Sequence, residues 1–450
     1  HSEETVADIR PFRAYRYNSQ RVSPADATTQ PYDKITAEMQ ERYYAASPYN
    51  LISVEKGRIL PGDSARNNVY TRAATKLDEW ITSGVLVQDA APALYAYSQE
   101  FAVPGSNTRR VRRGFVALGR IEDFAAGVVF RHERTHSAPK ADRLELLRHT
   151  HAQTGILFML YDDASKQIDS MLEVISRTPP AVELKDEYKV VHQLWPVTDA
   201  GSIRRIIAAM AAQKLIIADG HHRYETALAY RDECRMRTSG HETDAPYEFA
   251  MMAFFNTHSS GLTILPTHRV IRGVANFDFV KFRSQASRYF DWYAYPFASG
   301  DERPGAFIDF SRDLEKQHAR HGIGVYAGSG AFYLFVLKRN TDLAQLLPDL
   351  SAPLRELDVV LLHRMLIEKC LGITAEAIVA EQHVSYEREI STALEAVDAG
   401  DAQLAFLLNP VRVRQVAEIA LAGDLLPQKS TDFYPKLLSG LVIYRVEPSS

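Results

Sequence analysis

The chain has very few cysteines: Cys234 and Cys370 are the only two among its 450 residues. Two thiols this far apart in sequence supply neither a disulfide framework nor a paired-thiol zinc motif. No apolar run is long enough to cross a bilayer, and the start, HSEETVADIRPF, lacks the charged-then-apolar layout of a secretion signal. These absences predict a soluble protein of the reducing cytoplasm without a membrane partner.

An excess of basic charge is missing as well. The chain has 52 Lys and Arg against 56 Asp and Glu residues, a formal net charge of −4, and no basic stripe. Nucleic acid is therefore not an expected partner. The sequence also contains no GxxxxGK[ST], no GxGxxG after a strand and no GxSxG, so the common P-loop, dinucleotide-binding and serine-hydrolase classes lose their support.

What is present is typical of a globular protein with more than one core. Hydrophobic residues make up 46% and charged residues 24% of the 450-residue chain. Periodicity predicts helices for NVYTRAATKLDEWITSG and, after a serine cap, for SIRRIIAAMAAQ. PGSNTRR is predicted to join PALYAYSQEFAV and VRRGFVALGRI as a hairpin, and LISVEKG is predicted to be a strand.

These elements predict an α+β fold with mixed, largely antiparallel sheets and flanking helices. The composition changes after about residue 275, where helix-like stretches begin to dominate. We therefore expect an N-terminal α+β domain over residues 1–275 and a C-terminal α/β domain over residues 276–450. The second domain is expected to close over or brace the site of the first.

The segment LIIADGHHRYETALAYRDE carries the strongest functional signal. A short apolar strand delivers Asp219 and Gly220 to a turn, and a helix begins within a few residues, so that unpaired backbone N–H groups converge there. Gly220 permits close approach of a ligand, and Arg223 can make a two-pronged contact with phosphate or carboxylate oxygens. Asp219 can hold Mg²⁺ or position a hydroxyl group, and His221 and His222 lie between.

Each of these residues also has a purely structural explanation. Asp219 can cap the helix, Arg223 can pair with Glu225 or Asp232, and the histidines can be satisfied within the fold. A run of polar and glycine residues at the end of an apolar strand is harder to explain by packing. The combination therefore favours an anion-binding site.

Two further segments contribute candidate residues. His132, Glu133 and Lys140 precede the helix of KADRLELLRHTHAQ, where a loop would offer a general base and a phosphate-binding lysine, or would be only a connection. LPQKSTDFYPK places a donor-rich group between two prolines, consisting of Lys429, Ser430 and Thr431. That group can bind phosphate or carboxylate, although taken alone it is typical of a structural loop.

Motifs along nearly the whole chain resemble one family. They are PFRAYRYN, QPYD, SPYNLI, HERT, LYDD, ADGHHRYETAL, PYEFAMMAFFN, GLTILPTHR and LPQKSTDFYPKLLSGLVI. On these motifs the chain is identified as a member of the large prokaryotic family known as domain of unknown function 1015. That family brings no established activity.

The DGHHR string itself resembles the phosphate-binding motif of the ParB and sulfiredoxin superfamily, which implies a core of that type. Sulfiredoxins have a catalytic Cys where this chain has His221, so sulfinic-acid repair is excluded. ParB proteins add a DNA-binding helical domain, for which nothing basic enough is present here. The free serine kinases of that superfamily carry a similar DGHHR string and transfer a phosphoryl group from a nucleotide to a small hydroxyl compound.

The resemblance to these kinases implies a set of roles. Asp219, His221, His222 and the candidate base Glu133 would be catalytic, and Asp219 would also hold Mg²⁺. By position in the DGHHR string, Gly220 and Arg223 would bind the phosphates of the ligand, ATP or ADP. The two further segments described above add candidate ligand-binding residues, which are His132, Lys140, Lys429, Ser430 and Thr431.

Three hypotheses of function follow. The first is a small-molecule phosphotransferase acting on a nucleotide and a serine- or phosphoserine-like compound. The second is a metal-dependent phosphoesterase in which Asp219, His221, His222 and His132 hold Mn²⁺ or Fe²⁺. The third is a nucleotide-responsive binding module that catalyses no reaction.

Overall fold

The structure is a computed structural model that describes residues 7–135, 137–238, 242–328 and 330–446. Residues 1–6, which belong to the segment compared above with secretion signals, lie outside this range. Within the described part, no helix is both long enough and apolar enough to cross a membrane.

Helices are interspersed among strands of two to twelve residues along the chain. The strands are β1 Ile9–Arg10, β2 Tyr15–Tyr17, β3 Leu86–Gln88, β4 Leu94–Ala102, β5 Arg109–Arg120, β6 Val129–Phe130, β7 Ala152–Gln153, β8 Leu157–Tyr161, β9 Val182–Lys185, β10 Val191–Val197, β11 Leu215–Asp219, β12 Phe249–Asn256, β13 Thr263–Leu265, β14 His268–Ile271, β15 Phe290–Pro296, β16 Gly322–Tyr326, β17 Ala331–Leu337, β18 Val384–Glu387, β19 Leu404–Leu408, β20 Asp432–Tyr434 and β21 Tyr444–Arg445.

The α-helices are α1 Pro24–Ala27, α2 Ala37–Ala46, α3 Ile52–Glu55, α4 Val69–Thr82, α5 Ser137–Thr150, α6 Gln167–Ile175, α7 Ala200–Met210, α8 His221–Arg237, α9 Phe279–Ala286, α10 Arg303–Lys316, α11 Leu343–Leu346, α12 Ala352–Arg355, α13 Asp358–Leu361, α14 Ala375–Val379, α15 Ile390–Asp398 and α16 Val413–Leu421. Short 3₁₀-helices cover Tyr32–Lys34, Phe124–Ala126, Pro246–Glu248 and His318–Arg320, and a π-helical stretch covers Leu362–Cys370.

The chain forms two compact units. The first contains residues 1–263 and 435–450, and the second contains residues 264–434. The division at 263/264 lies before the one expected at 275/276, because β14 pairs with β18 and β19 of the second unit. The C-terminal segment returns to the first unit, where β21 pairs with β7.

The first unit is built on one large mixed sheet. Its strand order is β6-β11-β8-β12-β5-β4-β10-β9, with β1 added beside β5. The β11–β6 and β12–β8 pairs are parallel, and the remaining pairs of this sheet are antiparallel. The predicted hairpin is confirmed, since β4 and β5 pair from Tyr95↔Val116 to Ala102↔Arg109.

The second unit has a sheet of its own with the order β15-β17-β16-β19-β14-β18. Its strand pairs are antiparallel. One core cluster lies between this sheet and α9, α13 and the π-helical stretch, and includes Phe282, Phe335, Leu361 and Leu366. The α+β class with largely antiparallel sheets, predicted from the sequence, is confirmed.

Central strands of the first unit are apolar on both faces. Every residue of β8 and all but the last residue of β11 are buried. Such strands are typical of a sheet whose two faces are both covered. The core on one face contains Phe115, Met159, Ile217 and Phe254. The one partly exposed residue of β11 is Asp219, so the strand delivers a single carboxylate to the edge of the core.

Two local predictions were wrong. LISVEKG is not a strand, because Ile52–Glu55 forms α3, whose start is held by the Asn50 side chain accepting from the Ile52 N–H at 2.9 Å. The helix of SIRRIIAAMAAQ is capped by Asp199, which accepts from the Ser202 N–H at 2.7 Å, and not by a serine. In both places a short polar side chain competes for backbone N–H groups, as capping residues do.

Candidate functional site

The site begins where β11 ends and α8 starts. The register between β11 and β8 shifts at Ile217 and Asp219, which marks a bulge at the last residues of the strand. Gly220 follows with φ 96°, a left-handed conformation that glycine adopts without a Cβ clash. The seventeen-residue helix α8 then begins at His221. The first-turn N–H groups of such a helix have no acceptor within the helix and favour an anion.

Asp219 is held on two sides. Its Oδ1 accepts from the Gly220 N–H at 2.9 Å, and its Oδ2 lies 3.1 Å from the Nζ of Lys436. The side chains of Asp219 and Lys436 are 27% and 10% exposed. The carboxylate is therefore a partly buried member of an ion pair and not a simple helix cap.

Cations outnumber carboxylates around this helix start. Burial opposes ionisation of Asp219, but the charges of Lys436, Arg223 and Lys34 outweigh it and hold the pKa of Asp219 below its usual range. Arg112 on β5 is fully buried and interacts electrostatically with Asp219, and burial lowers the pKa of Arg112 to about 9. The local balance is thus positive, and an added anion would offset it.

Arg223 lies close to the turn of the strand–helix junction. Its Nη1 donates to the Ile156 carbonyl at 2.8 Å. A Cβ built on Gly155 would lie 2.8 Å from this Nη1, and one built on Gly220 would lie 3.1 Å from Nη2. Among the residues that the structure describes, no carboxylate forms an ion pair with Arg223, so the pairing with Glu225 or Asp232 considered above does not occur.

Two buried histidines and a glutamate lie beside the helix start. The His132 and His221 rings meet edge to face at 4.6 Å between centroids. His132 Nδ1 contacts the Ile217 carbonyl at 2.8 Å, and the His132 backbone N–H donates to His221 Nε2 at 3.4 Å. His221 Nε2 is therefore an acceptor, which assigns the proton to Nδ1, 3.7 Å from the Glu133 Oε2.

Burial determines the protonation state of both imidazoles. Burial lowers the pKa of His132 to about 4 and that of His221 well below its ordinary value. Both rings are neutral at physiological pH. The Glu133 side chain is 39% exposed, so its carboxylate is open to solvent on one side and faces His221 on the other.

Lys140 has a different environment from the one expected. It lies in the first turns of α5 and not in the preceding loop. Its Nζ is 2.7 Å from Glu225 Oε2, which also accepts from Thr135 Oγ1 at 2.7 Å, while Glu225 Oε1 accepts from Arg131 at 3.1 Å. Lys140 therefore contributes its charge to the Glu225 cluster on the second turn of α8.

A cavity of about 60 Å³ adjoins Arg223. Its polar lining includes Glu55, Arg143 and Thr154. Glu55 is buried and accepts from Thr154, and Arg143 Nη1 lies 3.6 Å from Glu55 Oε1. The cavity thus has one carboxylate and two guanidinium groups in its wall, and the rest of its lining is mainly apolar.

The remaining predicted residues lie in other surroundings. His222 is half-buried at the second position of α8, where its carbonyl accepts from Thr226 Oγ1 at 2.8 Å. Lys429, Ser430 and Thr431 belong to the second unit, directly before β20. The Ser430 hydroxyl is used within that loop, donating to the Pro427 carbonyl at 2.5 Å. Roles for these residues stay predictions.

Sequence reasoning missed several residues of the site. Lys436 ends the LPQKSTDFYPK segment. The sequence indicated Lys429, Ser430 and Thr431 in that segment but not Lys436. Lys34 directly follows QPYD, one of the motifs of the family resemblance. Arg112 lies inside a strand whose sequence, RRVRRGFV, gives no sign of which arginine is buried. Only the tertiary structure brings these cations to Asp219.

The ligand set of a metal-dependent phosphoesterase is not assembled in the described part of the chain. No group of three or more His, Cys, Asp and Glu side chains there is arranged to hold a metal ion. His132 and His221 face one another and not a shared centre with Asp219, whose Oδ2 contacts Lys436.

Comparisons with known proteins place the chain in a family. The family model described as "Protein of unknown function (DUF1015)" matches residues 9–360. No curated protein matches the chain.

Three solved structures of different proteins show some similarity to this chain. A conserved hypothetical protein from Pyrococcus furiosus is 10% identical, with a TM-score of 0.31 over 70% of this chain and 92% of that one. A free serine kinase in complex with AMP is 11% identical, with a TM-score of 0.32 over 70% and 89%. SbnI from Staphylococcus aureus, truncated at its C-terminus, is 10% identical, with a TM-score of 0.33 over 73% and 87%. Because these TM-scores are low, function is argued from this chain's own residues.

Proposed function

We propose that this chain, which belongs to the DUF1015 family, binds phosphate groups of a nucleotide or phosphorylated metabolite at Asp219–Arg223 and acts as a small-molecule phosphotransferase. The observation that carries the proposal is the environment of Arg223. This guanidinium lies over Gly220 at the start of a long helix and makes no ion pair with a described carboxylate. The charge of Arg223 acts on Asp219 without an ion pair between them, and a phosphate at the helix start would supply a counter-charge in direct contact.

The charge balance supports an anion with more than one negative charge. Arg223, Lys436, Lys34 and Arg112 all interact with the single carboxylate of Asp219. His132 and His221 add no charge, because both are neutral. Phosphoryl transfer depends on positioning and charge neutralisation more than on covalent chemistry, and the cations around Asp219 support a role of this kind.

Glu133 is the proposed general base. The hydroxyl oxygen of the acceptor attacks the terminal phosphorus, its proton passes to the Glu133 carboxylate, and the phosphorus–oxygen bond to the leaving phosphate breaks. The leaving group keeps the electron pair, so that ATP yields ADP. His221 is a positioning residue, because its Nδ1–H faces Glu133 while its Nε2 accepts from a backbone N–H. In this role it would orient the carboxylate through the electrostatic attraction between its Nδ1–H and Glu133, 3.7 Å apart.

The cavity beside Arg223 supports a serine- or phosphoserine-like second substrate. A zwitterionic amino acid has one ammonium and one carboxylate group. The wall contains one buried carboxylate, Glu55, which is paired with Arg143, and a second guanidinium, Arg223. The uncompensated charge of the wall is therefore positive and suits the carboxylate group of such a compound. The volume of about 60 Å³ admits a group of a few atoms, such as the carboxylate end of the amino acid.

Mg²⁺ fits the donor set in the manner usual for nucleotide sites. This cation is commonly held by one or two carboxylates together with phosphate oxygens and water. Asp219 is ionised and partly exposed, and would hold Mg²⁺ with the phosphate. The metal would neutralise phosphate charge when bound. Both Cys234 and Cys370 are free thiols, which supports the cytoplasm as the location.

Calorimetry with ATP, ADP and phosphoserine in the presence of Mg²⁺ tests the binding step. Replacing Arg223 by Ala removes a charge-assisted contact worth about 1.5–3 kcal/mol, which corresponds to roughly 10- to 150-fold weaker binding. Arg237→Ala is the matched control, since Arg237 is an exposed residue at the other end of α8. Equal affinity of both variants and the wild type would sink the proposal.

Turnover requires a separate measurement. Phosphorus NMR of the protein with ATP, Mg²⁺ and L-serine should show ADP and a phosphomonoester. Binding that depends on Arg223 without any product would instead favour a nucleotide-responsive binding module.

A further inference from the structure

The second compact unit contains a cavity of its own, with a volume of about 250 Å³. It lies at the sheet edge where β14 begins, β19 ends and β16 begins, since β19 is antiparallel to both neighbours. The polar side chains of its lining include Arg269, His318, His321, Asp358, Asn409 and Arg412.

Arg269 is a buried cation whose contacts with the described residues are all neutral. It is 1% exposed, and its hydrogen bonds go to neutral acceptors: His363 Nε2 at 3.3 Å and the carbonyls of Thr267, Gln428 and Lys429. Among the carboxylates that the structure describes, none forms an ion pair with it. A buried charge is normally paired, because desolvation without a counter-charge is costly.

The titratable neighbours of Arg269 do not supply the missing charge. Burial lowers the pKa of His268 to about 4 and that of His363 well below its ordinary value, and the charge of Arg269 adds to both shifts. Both imidazoles are therefore neutral. Tyr386 contributes only its ring face, 5.1 Å from the guanidinium carbon.

The two carboxylates of the cavity wall are already used by a histidine. His321 Nδ1 lies 2.9 Å from Asp358 Oδ1, and its Nε2 lies 3.2 Å from Glu356 Oε2. Burial opposes protonation of His321, but both carboxylates outweigh it and raise its pKa. Both ring nitrogens of His321 face carboxylate oxygens, which only accept, so both nitrogens donate and the ring is protonated. The wall then carries three cations, His321, Arg269 and Arg412, against two carboxylates, which leaves one positive charge.

We propose that this cavity binds the carboxylate group of a small metabolite, which supplies the counter-charge of Arg269. A single negative charge balances the wall, whereas the second charge of a phosphomonoester would face Asp358 and Glu356 without a partner. Arg412 lies on the exposed rim at the start of α16 and provides a second guanidinium for the same group. This site is additional to the proposed phosphate site of the first unit.

Titration of ¹³C-labelled acetate, glycolate, L-lactate and L-serine, followed by NMR on the full chain, tests the proposal. Inorganic phosphate serves as the alternative anion, and sodium chloride keeps the ionic strength constant. The variants are Arg412→Ala, with Arg269→Gln as a second probe if it folds. Arg414→Ala is the matched control, because the Arg414 side chain on the same helix is 88% exposed and pairs with Glu418. Arg223→Ala, which changes the wall of the cavity in the first unit, separates this site from the one there.

The expected result is saturable binding of at least one carboxylate at millimolar concentration. Affinity should fall about tenfold or more in Arg412→Ala and be unchanged in Arg414→Ala, and the Arg412-dependent binding should persist in Arg223→Ala. Absence of saturable carboxylate binding to the wild type would overturn the proposal. Equal binding by Arg412→Ala, or binding of phosphate alone in an Arg412-dependent manner, would overturn it as well.

Discussion

Lys436 and Asp219 form an ion pair of 3.1 Å although 217 positions separate them in the sequence. This pair joins the C-terminal segment of the first unit to the end of β11. Because Asp219 is next to the proposed phosphate-binding turn, we expect this ion pair both to stabilise the first unit and to position the site.

Replacing Lys436 by Met should therefore destabilise the first unit. We expect a loss of about 1.5–3 kcal/mol in the free energy of unfolding at neutral pH, because a partly buried carboxylate loses a charged hydrogen-bond donor. Denaturant unfolding measures this loss. The pKa of Asp219 is lowered in the folded state, so its contribution is present above the unfolded pKa near 3.9 and disappears as the pH falls further.

Lys34→Met is the comparison for that experiment. Lys34 is exposed and acts on Asp219 through its charge alone, so its replacement should have a clearly smaller effect. Equal effects of the two substitutions would show that the 3.1 Å contact between Lys436 and Asp219 adds no stability beyond that of a nearby charge.

Gly220→Ala should lower the free energy of unfolding by more than a positive φ alone would explain. A left-handed conformation costs about 1–2 kcal/mol in a residue with a Cβ. At Gly220 the added carbon would also lie 3.1 Å from both Arg223 Nη2 and Leu157 Cδ2. Gly84, with φ 75° and nothing within 4 Å, isolates the backbone effect. Denaturant unfolding of both variants should show the larger loss for Gly220→Ala; equal losses would refute the crowding at Arg223.

Glu133→Gln separates catalysis from binding. Loss of the proposed base should reduce the rate of product formation about 10²-fold or more while nucleotide affinity stays unchanged. Glu145→Gln is the matched control, because the Glu145 side chain is 40% exposed, close to the 39% of Glu133, and pairs with Arg148. Product formation in phosphorus NMR is the measurement. A Glu133→Gln variant as active as the control would remove Glu133 from the mechanism.

Buried neutral histidines should make the first unit sensitive to acid. Unfolded imidazoles take up protons near pH 6.5, whereas His132 does so only near pH 4 and His221 is shifted down as well. Their depressed pKa values give stability that is complete above about pH 6.5 and falls as the pH decreases, by up to about 1.4 kcal/mol per pH unit for each group.

His132→Asn tests whether the buried neutral histidines cause the acid sensitivity. The asparagine amide can still donate to the Ile217 carbonyl, but it does not titrate. The free energy of unfolding should depend less steeply on pH between 6.5 and 5 than in the wild type. An unchanged slope would place the acid sensitivity in other groups.

The sequence was sufficient for the family, the α+β class, the β4–β5 hairpin and the strand–turn–helix at DGHHR. Those features rest on local patterns, because apolar alternation and turn residues act within about ten positions. DUF1015 membership, predicted from motifs, is confirmed by the family match over residues 9–360.

The charge environment of the site could not be predicted in the same way. Lys436 and Arg112 reach Asp219 from remote strands or segments, and their partners depend on which face of an element is buried. Lys140 was expected beside a phosphate but pairs with Glu225, because α5 packs against α8. The strand prediction for the short segment LISVEKG was also wrong. There a single capping side chain, that of Asn50, favours a helix over a strand.

The most direct test of the phosphate site is a crystal structure of the protein grown with ADP and Mg²⁺. We predict phosphate density within about 2.7–3.2 Å of the first-turn N–H groups of α8 and of the Arg223 guanidinium. A nucleotide bound elsewhere on the chain, with the helix start at Gly220 left without phosphate, would contradict the account.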